Sequence, residues 1–294
     1  MSRVIIEFVE NECNMLAVKI RDTAFAVAEK CGLLGLSEVS SRIRKLPDYV
    51  ESLRPPAPDT LEGKSKYPSP QDYIEAMLRY YTYLYFIREV LVKSLEESLN
   101  SPEQWNLILE ILEISKEIYK ITKDSVEFLN TLHDKLEGGI FEDIWINVVK
   151  GFFAVRATIS KRLSESEVPL LERYICDRLN RDPEIVYLEP SDIARELNIR
   201  ESAVNWLLRN LRERSKRLLI GVKRKKSLFG SKEVYIVTSL ERLRNVIRKF
   251  MEYKLPTHHL NELENIFGTI NLNMLIIREL SDTVGKIHGI IEKI

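Results

Sequence analysis

Glutamine occurs only twice in the 294-residue chain, at Gln71 and Gln104, cysteine only three times, and the formal net charge is zero. No apolar run approaches the ~18 residues that a membrane-spanning helix needs. The N-terminus, "MSRVIIEFVENEC", turns acidic too soon for a secretory signal. No membrane partner is therefore expected. Cys13, Cys31 and Cys176 are scattered, with no C-x-x-C pair. That spacing excludes a disulfide framework and a thiolate zinc site, and it fits a reduced, cytoplasmic protein. Scarce glutamine beside 30% charged residues is a balance found in heat-adapted proteins.

Chemistry-bearing motifs are missing too. There is no G-x-G-x-x-G, no G-x-x-x-x-G-K-[ST] and no H-E-x-x-H. The four histidines are His133, His258, His259 and His288. Adjacent His258 and His259 point apart in an extended chain, and His133 and Asp134 do not face each other on a helix. The carboxylates form no spacing that separates an active site from a helix surface. The expectation is a binding protein rather than an enzyme, with no metal and no cofactor.

What the chain does have is helical periodicity. Residues 3–32 and 37 to about 50 read as helices. The stretch "RPPAPDTLEGKSKYPSP" at 54–70 holds five of the eleven prolines and reads as an extended, exposed connection, either a linker or a docking segment. Ser69-Pro70-Gln71-Asp72 and Ser101-Pro102-Glu103-Gln104 are helix starts: a cap, a proline in the first turn, then an acidic or amide side chain. The first opens a helix carrying "YYTYLYF" at 80–86. Its aromatics cover more than one face and predict burial on two sides. The second opens a helix whose apolar spacing runs through Leu107, Ile111, Ile114, Ile118, Ile121, Phe128 and Leu132, with a gap at Ser125, to Gly138-Gly139. A further helix at about 141–163 is apolar on most sides and should be central. Residues 1–165 thus read as a bundle of four or five helices.

From Val168 the texture changes. "VPLLERYICDRL" reads as a helix, "EIVYLEP" as a short extended piece, and "SDIAREL" and "ESAVNWLLRNLRERS" as two short helices three residues apart. A hairpin, "GVKRKKSLFGSKEVYIVT", and a helix from about 240 to 253 follow. Ser191 is a candidate cap. Ile193, Ala194 and Leu197 form one core face, Ile199 plugs the turn, and Val204, Leu208 and Leu211 form a second buried stripe. "SDIARELNIRESAVNWLLRNL" together with the ribbon resembles the winged helix-turn-helix superfamily over roughly 168–250. The expected fold is mainly α: a helical bundle (1–165), a winged-helix domain with a small β-ribbon (166–253), and a long C-terminal helix (254–294).

The resemblance implies a recognition helix at about 200–215 lying in the DNA major groove, and a wing at about 218–238 on the backbone or minor groove. Carried onto this sequence, the DNA-facing positions are Arg200, Ser202, Asn205, Trp206, Arg209 and Arg212. On the wing they are Lys223, Arg224, Lys225, Lys226 and Lys232, with Phe229 at the tip either packing on the domain or wedging against a base step. Trp206, with Leu207 beside it, departs from the usual polar pattern and leaves a second reading open. In that reading the chain is a scaffold subunit of PCI-type architecture, in which the winged helix binds protein.

Charge weighs on the DNA side. Residues 195–250 hold 16 Lys and Arg against 5 Asp and Glu, so the neutral total conceals a segregated basic region. Such a region attracts phosphate backbones without sequence preference. Finally, Leu263, Phe267, Ile270, Met274, Ile277, Leu280, Val284, Ile287, Ile291 and Ile294 form a near-heptad seam. It must be buried either on the chain's own bundle or against a second copy in a homodimer. The expected partner is double-stranded DNA, in transcription regulation, replication or chromosome segregation. The N-terminal bundle is expected to receive a protein partner or a signal.

Overall fold

A computed structural model describes residues 2–97, 99, 101–136, 141–159, 167–227, 230–251, 257–268 and 272–277, with backbone only at 2, 225–227, 230–232, 250–251 and 257–259. The chain divides into two compact units, Met1–Ser160 and Lys161–Ile294.

The first unit is all-helical: α1 (Ser2–Leu33), α2 (Ser37–Ser52), α3 (Leu61–Lys66), α4 (Pro70–Glu96), α5 (Pro102–Ile121), α6 (Ser125–Lys135) and α7 (Phe141–Ile159). Both serine-proline starts form capping boxes, with Ser69 and Asp72 reciprocal at α4 and Ser101 and Gln104 at α5. Each box satisfies two backbone N–H groups that a helix end leaves orphaned, worth about 1 kcal/mol per cap. Helix α4 is the axis on which α1, α5, α6 and α7 pack. This is why "YYTYLYF" is apolar all round: Tyr80, Tyr81, Tyr83, Leu84 and Phe86 are all buried. Tyr83 stacks on Tyr119 at 4.7 Å, and Phe128 stands edge-on to both. Central α7 buries both faces, including Trp145, Phe152 and Phe153.

Two expectations for this unit need correction. The helix read from Ser101 towards Gly138 is two helices. Helix α5 stops at Ile121, and Asp124 caps α6 by accepting the Glu127 N–H at 2.7 Å. The Arg79 guanidinium donates to the freed Thr122 carbonyl and lies over the Tyr119 ring. Gly138 and Gly139 lie outside the described residues. The proline-rich stretch is also more ordered than an exposed connection. Pro55 is buried, Thr60 caps the short α3, and Gly63 sits so close to the Ala57 carbonyl that a Cβ would lie 2.0 Å from its oxygen.

The second unit runs α8 (Val168–Arg181), α9 (Pro190–Leu197), α10 (Glu201–Arg214), β1 (Leu218–Ser227), β2 (Gly230–Ser239), α11 (Leu240–Met251) and α12 (Thr257–Phe267). Strands β1 and β2 form an antiparallel hairpin in the register Leu218↔Ser239 to Ser227↔Gly230. The extended segment before α9 contributes a single bridge, Leu188 to Val237, through paired backbone hydrogen bonds of 2.8 and 3.1 Å. One core layer joins α8, α9 and α10 to the hairpin through Leu171, Tyr174, Ile193, Leu197, Leu208 and Val237. A second lies across the hairpin, where Ile236 packs with Leu243, Ile247, Leu263, Ile266, Phe267 and Leu272.

The expected long C-terminal helix is interrupted. Helix α12 ends at Phe267, and Gly268 takes φ +88°, a left-handed conformation that glycine adopts without a Cβ penalty. Helical structure resumes at 272–277. The seam residues Leu263 and Phe267 are consumed by the unit's own core, whereas Met274 and Ile277 are 66% and 63% exposed. Ile270, Leu280, Val284, Ile287, Ile291 and Ile294 lie outside the described residues.

Candidate nucleic-acid interface

The two helices that carry the resemblance meet at a tight turn. Helix α9 ends on Asn198 at φ 53°, a conformation that asparagine tolerates better than most residues, and the Ile199 N–H donates back to the Ala194 carbonyl at 3.0 Å. Ser191 does not cap α9. The N-cap position is Glu189, without a side-chain cap, and Pro190 occupies the first helical position. The fixed φ of proline suits that position and moves the start one residue earlier.

Helix α10 is sharply two-sided. Val204, Leu207, Leu208 and Leu211 are buried, while Ser202, Arg209 and Arg212 are exposed on the opposite face and Arg200 is exposed at the N-cap. Leu207 is therefore core, not part of an apolar outer face, since it is fully buried. Trp206 is half-buried. Asn205 does not extend freely outwards. Its Nδ2 donates to the Glu201 carbonyl at 3.1 Å, and its Oδ1 accepts the Tyr235 N–H at 3.4 Å, so it ties α10 to β2. Arg200, Arg209 and Arg212 have no ion-pair partner among the described residues.

The hairpin divides its cations differently. The Lys223 ammonium lies 3.6 Å from Glu189 and 3.5 Å from Glu262, and over the Tyr187 ring. Tyr187 Oη donates to Glu262 at 2.9 Å. Burial and the bond to Glu262 raise the pKa of Tyr187 against the opposing Lys223 ammonium; burial alone would lower that of Lys223, but the tyrosine and two glutamates together outweigh it and hold its proton more tightly than usual. Lys223 is thus a strut between β1, the start of α9 and α12, not a free phosphate contact. Arg224 is exposed and lies 3.7 Å from Glu233 on the facing strand. Lys225 stands directly opposite Lys232, and Lys226 opposite Ser231.

The chain matches no known family model, no curated protein sequence and no solved structure. The assignment of a function therefore rests on the geometry.

The basic surplus is also less uniform than a count implies. Arg242 is 9% exposed and donates to the carbonyls of Leu179, Asp182 and Pro183 at the end of α8, where a cation complements the helix dipole. Lys216 and Arg217, just beyond α10, are exposed cations absent from the residues picked out by motif alone. Their signal was their position immediately after the candidate recognition helix. Among the described residues no group of three or more His, Cys, Asp or Glu is placed to hold a metal ion, and no helix is long and apolar enough to cross a membrane.

Proposed function

We propose that the second unit is a winged helix-turn-helix module that binds double-stranded DNA through the outer face of α10, with the β1–β2 hairpin alongside. The protein then acts in transcription regulation, replication or chromosome segregation. One observation carries the reading: Arg209 and Arg212 share the exposed side of α10 and Arg200 is exposed at its N-cap, all three without carboxylate partners among the described residues. An arginine left unpaired beside a basic hairpin is available to phosphate oxygens and base edges. Titrating labelled duplex DNA into the full chain at several salt concentrations tests it. Contact with about five to eight phosphates gives a log–log slope of roughly −4 to −7. No binding at about 50 mM salt refutes it.

The half-buried Trp206 favours a second reading, a scaffold subunit whose α10 face meets protein. Burial of Leu207 leaves that reading a smaller apolar surface. We also propose a homodimer formed by the chain beyond Gly268, a reading supported by exposed Met274 and Ile277. Met274→Glu/Ile277→Glu should then halve the mass measured by light scattering, and an unchanged mass excludes it. For the first unit we propose a protein partner. Val4, Met15, Val18 and Phe25 support it, as exposed apolar residues on one side of α1.

A further inference from the structure

Strand pairing within the hairpin fixes which backbone groups of β1 are spent. The N–H and C=O of Val237 both bond Leu188, so Val237 cannot exchange hydrogen bonds with Ile220, the residue opposite it on β1. In an antiparallel ladder, bonded and non-bonded pairs alternate. Leu219, Gly221 and Lys223 therefore bond to β2, whereas Ile220 and Val222 turn both N–H and C=O away from it. The Arg217 carbonyl, which accepts the Leu240 N–H at 2.9 Å, and the Tyr235 N–H, which reaches Asn205, obey the same parity. The outward groups of Ile220 and Val222 have no hydrogen-bond partner among the described residues. They form a free sheet edge.

That edge is not on a flat surface. It lies along an open cleft of about 740 Å³. On one side stand Arg212, Ser215 and Lys216, at and just beyond the end of α10. On the other stands α12 with Asn265 and Ile266, brought close because Gly221 has no side chain. Leu218, Ile220 and Val222 supply apolar lining, and the only charged lining residues are Arg212 and Lys216. The Leu218 N–H is already spent on Ser215 Oγ at 2.8 Å, so the free edge runs from Ile220 to Val222, about 7 Å at roughly 3.3 Å per residue, room for about three extended residues.

A free edge inside an amphipathic groove is the geometry of strand addition: main-chain bonds give affinity, and pockets for alternate side chains give specificity. The geometry points to a peptide-binding groove. It takes an extended segment of a partner protein, apolar at alternate positions and carrying an acidic side chain opposite Arg212 and Lys216. The segment pairs with Ile220 and Val222 as a third strand. Charge complementarity selects this occupant, since both charged lining groups are cations and neither has an ion-pair partner among the described residues. The inference does not depend on DNA binding by α10.

The test uses the full chain to select from a displayed library of random peptides, with Val222→Pro as counter-selection. Proline at 222 removes an outward N–H without touching the β1–β2 ladder, as edge strands tolerate. Enriched peptides should alternate apolar residues with an Asp or Glu. A labelled synthetic version should bind at least about tenfold more weakly to Val222→Pro and to Arg212→Glu/Lys216→Glu, an effect typical of losing main-chain bonds or a charge pair. Hydrogen exchange should show new protection at the Ile220 and Val222 amides while DNA affinity of Val222→Pro is unchanged. Three outcomes overturn the proposal: no enrichment over Val222→Pro, binding that survives the proline, or protection elsewhere. A dimer of the chain without peptide that dissociates in Val222→Pro also overturns it, because the edge would then pair with a second copy.

Discussion

Ile266 turns its backbone carbonyl onto the bare Cα of Gly221, where an added Cβ would stand 2.2 Å from the oxygen. This contact seats α12 on the hairpin, and no other residue type fits the gap without backbone movement. Gly221→Ala should therefore loosen α12 and cost about 1–3 kcal/mol, the usual penalty of overpacking a close contact. Urea unfolding followed by circular dichroism measures it. An unchanged midpoint would show that α12 is not held there in solution.

The two classes of basic residue should separate in a salt titration. Arg209→Ala should reduce the salt slope of DNA binding by about one, as the loss of a phosphate contact does. Lys223→Ala should leave the slope unchanged, because its ammonium is already held by Glu189 and Glu262. Equal slope changes in both variants would show that the strut opens to receive DNA.

Leu207→Ala should destabilise the protein by about 2–5 kcal/mol, the range for a fully buried leucine. Trp206→Ala, at a half-buried position, should cost less stability. If Leu207→Ala instead unfolds at the wild-type denaturant concentration, the leucine belongs to an outer face after all.

Glu89 on α4 is a nearly buried carboxylate. It pairs with Arg88 and accepts from Asn147 at 3.1 Å, yet desolvation outweighs both and raises its pKa. The folded state therefore holds the proton more tightly than the unfolded chain. The stability so gained is present at low pH and is lost as pH rises from the ordinary value of 4.5 through the raised one. Glu89→Gln should remove that slope and melt at a higher temperature than the wild type at neutral pH, with little difference in acid. Parallel melting curves at all pH values would refute the burial argument.

Cys13 and Cys31 are fully buried, and burial pushes their thiols up to about 12 and about 11. Neither should react with a thiol reagent in the native protein near neutral pH, because the reactive species is the thiolate. Both should react on unfolding. Rapid native labelling of either would mean that the first unit opens locally.

Much of this architecture was legible because it depends on local chemistry. The serine-proline starts of α4 and α5, the all-round apolar α4 and α7, and the order from α8 to α11 follow from caps and periodicity. The break at Thr122 was equally local: Asp124 with Glu127 three residues on is a helix start, but an apolar spacing that continued across it concealed the signal. The C-terminal helix failed for a different reason. A seam of apolar residues looks continuous in sequence whether or not a glycine in its path turns left-handed, and only packing of Leu263, Ile266 and Phe267 on the hairpin makes Gly268 a stop.

For the candidate site, the sequence could name its cations but could not sort them. Arg209 and Arg212 on one side of α10 follow from helical spacing, and the basic bias of the hairpin is read directly from its residues; Arg200 is the N-cap, where helical spacing does not apply. That Lys223 is a strut, that Arg242 caps α8 from inside and that Asn205 bonds the Tyr235 N–H were decided by neighbours 30 or more positions away in the chain, where no periodicity reaches. The free edge of β1 belongs to the same class. Its exposure depends on which face of the hairpin each helix covers and on Leu188 fixing the bonding parity of Val237. Local sequence set the elements and the sign of their charge. Tertiary packing chose which charges were already neutralised and which backbone groups were left to bind something else, because both depend on distances in space rather than along the chain.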